Sequence, residues 1–593
     1  MTAHPATTGG APDGAPDAEG APPPDGHVAD STGISNPRPV EDLPHDAPAV
    51  PEGRRDIPAA RRGSAPSGRF LARATLLSAG LAMAAALLGL GRDQALAHLF
   101  GAGAETDAFL VAWTVPEMAS TLLIEDGMAF VLVPAFSMAL AQRARGTGGP
   151  DPVQALISAS LPRLCLALAG TAAVFAAGAP LLVSLLAPGL SDPSLAVSCT
   201  RLTATCVLSF GLAGYCSAAL RAHRNYLAPG AIYIAYNIAI ITTMLVIGDS
   251  WGVRSAALGV AIGGCLMAVV QVPPLWRRIV GRDEQCATAS GSEYDGDRGR
   301  SIVPALVCAV LLFALCRQSQ VLIERYFASG LPAGAISHLN YAQKIAQLPM
   351  SLSMMVCVVT FPVVARAIAE GDTQRAGDRV ERDLSLMASI VLLGAAVVVA
   401  CAPQIVQLLF QRGAFTGQDT AATAAVMRVY ALGLLGHTLV GALVRSYFST
   451  GRITWFPLGA MGAGALATVV LSAWAVHPWG ARGIAAANAA GITLTALLLL
   501  HGLGPRAVPV HVRRVGTELA RLVYAAVCAG GAGLFCAELF DSPAAAVAVC
   551  CMCVTGVFLL LARLLDAAGV RSLLLPVTHF VRSSVTRKPR HGR

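Results

Sequence analysis

Long apolar stretches separated by short polar gaps recur through most of the chain. A helix needs roughly 20 mostly apolar residues to cross a bilayer, and the pattern predicts about fourteen such spans. We expect these spans at residues 73–91, 105–141, 152–186, 193–220, 227–248, 255–276, 301–328, 332–365, 383–410, 420–444, 453–476, 481–503, 515–537 and 543–567. The predicted fold class is an all-α polytopic membrane protein.

Arginine is distributed unevenly between successive gaps. Cationic loops resist translocation and are attracted by anionic lipids of the cytoplasmic leaflet, so the arginine-rich gaps indicate the cytoplasmic side. They hold Arg143, Arg145, Arg221, Arg224, Arg277, Arg278, Arg282, Arg298, Arg300, Arg366, Arg375, Arg379, Arg382, Arg445, Arg452, Arg506, Arg513 and Arg514. The opposite loops and their edges hold only Arg92, Arg254, Arg412 and Arg482. With an even number of spans, both termini are predicted to be cytoplasmic.

Composition agrees with a membrane protein. Hydrophobic residues make up 55% and charged residues 13% of the sequence, which is more apolar and less charged than a soluble globular domain. The net charge of +8 suits cytoplasmic loops that lie against an anionic membrane surface. Nucleic-acid binding is not needed to account for it. All of the 15 cysteines except Cys286 fall within or beside apolar stretches, where cysteine behaves as a small hydrophobe, so we expect neither a disulfide framework nor a metal site.

Two stretches of the sequence are similar to each other. Phe100–Gly103 leads into a helix that reaches Val133 and Pro134, and Phe327–Gly330 leads into one that reaches Phe361 and Pro362. Each stretch follows the first helix of a six-helix block, which predicts two bundles related by a pseudo-two-fold axis. The predicted domains are a disordered cytoplasmic tail (1–68), the first six-helix bundle (69–278), a cytoplasmic linker (279–300), the second bundle (301–503), two additional C-terminal helices (504–567) and a basic cytoplasmic tail (568–593).

Ionisable residues inside the apolar spans are the candidates for function. Such residues are costly in lipid and face a polar cavity or each other. They cluster where each half begins: Arg92, Asp93, Glu105, Asp107, Glu117, Glu125 and Asp126, then Arg317, Glu324, Arg325 and Lys344. Glu324 and Arg317 share a helix face and are placed to neutralise each other. Cations facing a cavity suit an anionic substrate, and a guanidinium fork suits a diphosphate.

The sequence contains no phosphate-binding loop with a following lysine, no His-Glu-x-x-His motif and no convincing dinucleotide fingerprint. These motifs would indicate an ATP-driven pump, a metalloprotease or a nucleotide-dependent enzyme. We therefore predict a transporter and not an enzyme, with no cofactor and no metal.

A resemblance to a known family indicates which substrate the protein transports. The matching segments, in order, are Arg92–Phe109 with Pro116, Glu125 and Val133-Pro134, then Gly263-Gly264 with Gln271–Pro273, Tyr341–Pro349 and Phe410–Asp419. They resemble the MurJ/MviN family, which comprises lipid II flippases of the MATE-like exporter superfamily. The markers keep the order and spacing of the family from about residue 73 to residue 567.

The resemblance implies a fourteen-helix protein of the bacterial cytoplasmic membrane. Such a protein moves the undecaprenyl-pyrophosphate-linked peptidoglycan precursor from the inner to the outer leaflet by alternating access. The resemblance assigns Arg92 to diphosphate attraction, Asp107 to a structural or gating ion pair, and Lys344 to a position where the family usually has arginine. Glu125 and Arg317 complete the substrate-binding candidates. The implied partners are the precursor, membrane lipids and cell-wall synthesis proteins.

The chain departs from the family pattern at two positions, since Ala86 and Ser120 stand where the family commonly has arginines. A cavity with fewer cations holds a diphosphate less strongly, unless Arg317, Arg325 or Arg445 supplies the missing charge. This departure keeps two alternatives open. One is a divergent paralogue that exports another polyprenyl-linked or amphipathic substrate, and the other is a non-transporting scaffold for wall synthesis.

Overall fold

The computed structural model describes residues 68–125, 127–145, 150–223, 225–280, 304–354, 373–449, 454–506 and 510–567. Three predicted regions lie almost entirely outside these ranges. They are the tail 1–68 except residue 68, the linker 279–300 except residues 279 and 280, and the tail 568–593. Every regular element of the described residues is helical, which confirms the all-α fold class.

The described residues before position 281 form ten α-helices. They are α1 (Gly68–Phe100), α2 (Ala104–Ser120), α3 (Gly127–Ala144), α4 (Pro152–Ala177), α5 (Ala179–Leu186), α6 (Pro193–Ala204), α7 (Cys206–Ala222), α8 (Leu227–Trp251), α9 (Arg254–Val269) and α10 (Val272–Val280). Two of them begin at Asp-Pro pairs. Asp151 accepts a hydrogen bond from the Val153 amide, and Asp192 from the Leu195 amide, each at 3.0 Å. These are N-caps followed by proline at the first helical position.

The described residues after position 303 form seven further α-helices. They are α11 (Pro304–Ala328), α12 (Ala335–Ala346), α13 (Thr373–Phe410), α14 (Gly417–Ser449), α15 (Phe456–Arg506), α16 (Val512–Ala537) and α17 (Pro543–Leu564). Helix α15 bends at Gly480, whose φ is +55°, and this bend lies between the predicted spans 453–476 and 481–503. One long helical element therefore contains two of the predicted crossings.

Ten helical segments of the described residues are long and apolar enough to cross a membrane. This confirms a multi-pass membrane protein. The count of about fourteen crossings and the division into two six-helix bundles stay predictions.

Several predicted spans have different limits in the structure, and two of these differences concern the charged residues. The first was expected to end at residue 91, with Arg92 at its outer edge, but α1 continues to Phe100. Arg92 and Asp93 lower the local hydropathy but pair with each other, so their charges do not end the helix. The span 105–141 is divided into α2, a π-helical turn at Thr121–Glu125, and α3. Single π-helical turns are frequent at functional sites.

Helices from both parts of the chain share one apolar core. Phe109 on α2 and Tyr236 on α8 belong to the same buried cluster as Tyr341 on α12 and Phe410 on α13. The C-terminal helices α16 and α17 pack against each other and against α13. In the same core region, α2 contacts α1, α11 and α12.

At one end of the fold, the loop between α1 and α2 contacts the loop between α13 and α14. We call this contact, formed by His98, Gly101, Gly413 and Ala414, the loop clasp. The Ala414 amide donates to the His98 carbonyl at 2.9 Å. Gly101 and Gly413 have φ angles of +65° and +62°, a region that favours glycine. A Cβ on Gly101 would lie 2.7 Å from the Ala414 carbonyl oxygen, and one on Gly413 would overlap the His98 backbone.

Gly413→Ala is expected to destabilise the protein by about 1–3 kcal/mol, because alanine adds steric strain in the left-handed region and pushes against His98. Thermal unfolding of the purified protein in detergent would show a lower melting temperature. Gly462→Ala is the matched control, since a Cβ at Gly462 on α15 would meet no atom within 4 Å. Equal melting temperatures for the two variants would contradict the importance of the loop clasp.

Candidate functional site

Arg92 and Lys344 line the same cavity inside the membrane-spanning part of the fold. The cavity has about 300 Å³ of empty space, part of it open to the surroundings, and Asp93, Trp113 and Asn340 contribute to its wall. These residues come from α1, α2 and α12. The structure therefore brings together two of the five predicted site residues.

Arg92 is fixed by contacts on several sides. Its Nε and Nη2 atoms donate to Asp93 Oδ1 at 3.0 and 2.7 Å, and its guanidinium lies 4.5 Å from the centre of the Trp113 ring. Nη1 donates to Asn237 Oδ1 at 3.4 Å. The carboxylate and the ring face both stabilise the cation in a medium of low dielectric constant. Arg92 is thus held in position, with its charge balanced by its neighbour in sequence.

Lys344 belongs to a second charged group, centred on Glu117 of α2. The Lys344 ammonium donates to Glu117 Oε1 at 3.4 Å, and Arg325 Nη2 on α11 lies 3.6 Å from Glu117 Oε2. One carboxylate therefore bridges two cations from different helices. We call Glu117, Arg325 and Lys344 the bridged triad.

A second cavity, with about 250 Å³ of empty space, adjoins the first. Its wall includes Glu324, Arg325, Gln343 and Asn340, and Asn340 also lines the first cavity. Together the two cavities place three cations, Arg92, Arg325 and Lys344, near one another. We refer to the two cavities together as the central chamber.

The expected excess of positive charge is not present in this conformation. Asp93 pairs with Arg92, Glu117 bridges Lys344 and Arg325, and Glu324 stands beside Arg325. Three carboxylates thus accompany the three cations. The cations are concentrated as predicted, but their charges are compensated.

Asp107 contacts the start of a helix in this structure. Its carboxylate accepts hydrogen bonds from the Gly334 amide at 2.7 Å, the Ser337 amide at 2.8 Å and the Ser337 hydroxyl at 2.5 Å. These donors belong to the first turn of α12 and its N-cap. Their partial positive charge suits a carboxylate. In this structure the start of a helix contacts Asp107 in place of a cationic side chain, and the ion pair stays a prediction. Asp107 connects α2 to the helix that carries Lys344.

Glu125 and Arg317 lie outside the central chamber. Glu125 ends the π-helical turn, is exposed and accepts a hydrogen bond from the Tyr233 hydroxyl at 3.1 Å. Arg317 is exposed on α11. Its expected partner Glu324 instead accepts a hydrogen bond from Asn488 Nδ2 at 2.5 Å. Substrate contact by Glu125 or Arg317 stays a prediction.

Glu117, Arg325 and Asn340 were not among the five predicted site residues. Arg325 and Asn340 line the central chamber, and Glu117 contacts Arg325 and Lys344. Glu117 and Arg325 were among the ionisable residues inside the apolar spans, which made them general candidates. Arg325 was also one of three arginines that could replace the missing family arginines. Asn340 precedes Lys344 by one helical turn, so it lies on the same face of α12. That spacing was the available signal for Asn340.

Comparisons with known proteins agree with this architecture. The sequence profile of a family described as "Lipid II flippase MurJ" matches residues 96–554. The chain is 26% identical over 483 residues to the lipid II flippase MurJ of Burkholderia cenocepacia, covering 79% of this chain and 91% of that relative. It is also 26% identical over 467 residues to the probable lipid II flippase MurJ of Haemophilus influenzae, covering 75% of this chain and 89% of that relative.

Solved structures show the same fold. A lipid II flippase MurJ in an inward closed conformation aligns with a TM-score of 0.63 at 19% identity, covering 82% of this chain and 98% of that one. An inward-facing multidrug transporter of the MATE family aligns with a TM-score of 0.56 at 14% identity, covering 74% of this chain and 99% of that one. Because the family profile spans most of the sequence and the fold agrees, the chain belongs to the MurJ family of lipid II flippases.

Proposed function

We propose that this protein moves lipid II, the undecaprenyl-pyrophosphate-linked peptidoglycan precursor, from the inner to the outer leaflet of a bacterial cytoplasmic membrane. The observation that carries the proposal is the convergence of Arg92, Arg325 and Lys344 on one chamber within a MurJ-family fold. Guanidinium and ammonium groups at low dielectric constant are suited to bind a diphosphate. Arg325 supplies a cation to a chamber that lacks the arginines replaced by Ala86 and Ser120.

Contacts at one end of the fold suggest how transport proceeds. The loop clasp and the contact between Asp107 and α12 both join the two parts of the chain at the end where α1 finishes. The arginine distribution supports cytoplasmic termini, which places this end on the outer side. We infer that the headgroup enters from the cytoplasmic side and that separation of these contacts exposes it to the outside. Binding and conformational change are sufficient for this cycle, so we propose transport without covalent catalysis.

The alternatives are less well supported. The family profile and both relatives carry the lipid II flippase description, which does not favour another cargo. A scaffold would not need three cations arranged around a chamber. The bundle limits at 69–278 and 301–503 and an association with cell-wall synthesis proteins stay predictions.

Expression of this chain is expected to restore growth in a bacterium depleted of its own lipid II flippase. Outer-leaflet lipid II should return at the same time, measured in intact cells with a membrane-impermeant labelling reagent. A variant without residues 1–67 is the control for a scaffold role, and it should still restore growth. Full expression in the membrane without any return of outer-leaflet lipid II would reject the proposed cargo.

A further inference from the structure

We infer that Glu117 is a resident counter-anion that the substrate diphosphate displaces from Arg325 and Lys344. This inference rests on the proposed function and specifies how the chamber accepts its anion. The starting observation is that one carboxylate bridges two cations on two different helices. The bridged triad carries one negative and two positive formal charges. A diphosphate offers more oxygens and more negative charge than the single carboxylate.

The contacts of Glu117 are long for charge-assisted hydrogen bonds. The N···O distances are 3.4 Å to Lys344 and 3.6 Å to Arg325, whereas such bonds are typically about 2.7–2.9 Å. Asp93, in comparison, lies 2.7 Å from Arg92 Nη2. Among these carboxylates, Glu117 is therefore held weakly by the cations that it neutralises.

Arg325 has donors that Glu117 does not use. Its side chain is only 5% exposed, and its Nε and Nη1 atoms have no hydrogen-bond partner within the described part of the chain. A buried donor without a partner is unfavourable, and a guanidinium prefers to bind phosphate oxygens through two parallel bonds. Because Arg325 also lines the second cavity, these donors provide a place for phosphate oxygens.

The backbone around Glu117 is irregular. Pro116 precedes it inside α2, and the π-helical turn begins at Thr121. The Ser120 and Thr121 hydroxyls donate to the Glu117 carbonyl at 3.3 and 3.2 Å, so the bonding of this helical turn involves side chains. Proline and π-helical turns are positions where a helix changes direction. The Glu117 carboxylate therefore lies on a segment suited to rearrangement.

Glu324 is the other carboxylate beside Arg325, but it is anchored elsewhere. Its Oε1 accepts a hydrogen bond from Asn488 at 2.5 Å, and Asn488 Oδ1 is 3.2 Å from His437 Nε2. These contacts tie Glu324 to α15 and α14. Glu117 is thus the carboxylate of the pair that is positioned to leave the cations and return to them after the headgroup departs.

Glu117→Gln is expected to bind inorganic pyrophosphate at least threefold more tightly than the unmodified chain, because the competing charge is removed. Titration calorimetry of the full-length protein in detergent measures this affinity. In liposomes, the same variant is expected to translocate lipid II more slowly. Without the Glu117 carboxylate, no anion competes with the diphosphate for Arg325 and Lys344, so the headgroup is released more slowly. Asp249→Asn, which removes an exposed carboxylate of α8, is the control and should leave the affinity unchanged.

Glu117→Asp is the second variant, since it keeps the charge needed to balance buried Arg325 but is one methylene shorter. It should fold if Glu117→Gln does not, and it should show a smaller rise in affinity. Unchanged or weaker pyrophosphate binding in both variants, or no pyrophosphate binding by any form of the protein, overturns the inference. Failure of the proposed function has a different result: the unmodified protein then translocates no lipid II, whatever the affinity of the variants.

Discussion

Lys344→Ala is expected to abolish lipid II translocation, whereas Lys344→Arg is expected to preserve it. Alanine removes a cation from the chamber and leaves Glu117 facing Arg325 alone. A hydrogen bond to a charged group contributes about 1.5–3 kcal/mol. Loss of that contact with the diphosphate corresponds to a roughly 10- to 100-fold weaker interaction. Growth rescue of a flippase-depleted strain and the amount of outer-leaflet lipid II measure the effect.

Lysine usage provides a matched control for this prediction. The sequence contains only two lysines, Lys344 and Lys588, so Lys588→Ala makes the same change far away in the sequence. It should leave translocation unchanged. A fully active Lys344→Ala protein would remove this residue from the substrate site, and an inactive Lys344→Arg protein would show that more than positive charge is required there.

Much of the fold was accessible from the sequence, because hydropathy and arginine distribution depend directly on the bilayer. The end of α1, in contrast, could not be predicted from the sequence. A hydropathy window ends at Arg92 and Asp93, but the helix continues because the two charges pair and Trp113 covers the guanidinium. This compensation depends on a residue of another helix, and local sequence does not contain that information.

The site was predicted in part, for a related reason. Resemblance to the family identified Arg92 and Lys344, and the structure places both in one chamber. It did not identify the bridged triad, because the pairing of Glu117 with Arg325 arises from the packing of α2 near α11. The charge of each residue indicated a partner without indicating which one. The contact between Asp107 and the first turn of α12 could not be predicted from the sequence either. That turn has no charged residue that would indicate a partner for the carboxylate.

Asp107→Ala is expected to separate α2 from the start of α12 and to reduce translocation strongly. The change removes three hydrogen bonds and leaves the buried Gly334 and Ser337 amides without their acceptor. Each unsatisfied buried donor costs about 1–3 kcal/mol, and the favourable interaction with the helix N-terminus is lost as well. Hydrogen–deuterium exchange of residues 334–337 should become at least about tenfold faster, since a factor of ten corresponds to 1.4 kcal/mol.

Graded variants separate this role from a general loss of folding. Ser337→Ala removes only the hydroxyl bond and keeps both amide bonds to Asp107, so its exchange and activity should change least. Asp107→Asn keeps one acceptor oxygen and should be intermediate. If Asp107 acted mainly through its charge in the chamber, Asp107→Asn would instead match Asp107→Ala in activity while exchange at residues 334–337 stayed slow. The order of the three variants therefore decides whether Asp107 acts by holding α2 against the start of α12 or by interacting with the substrate.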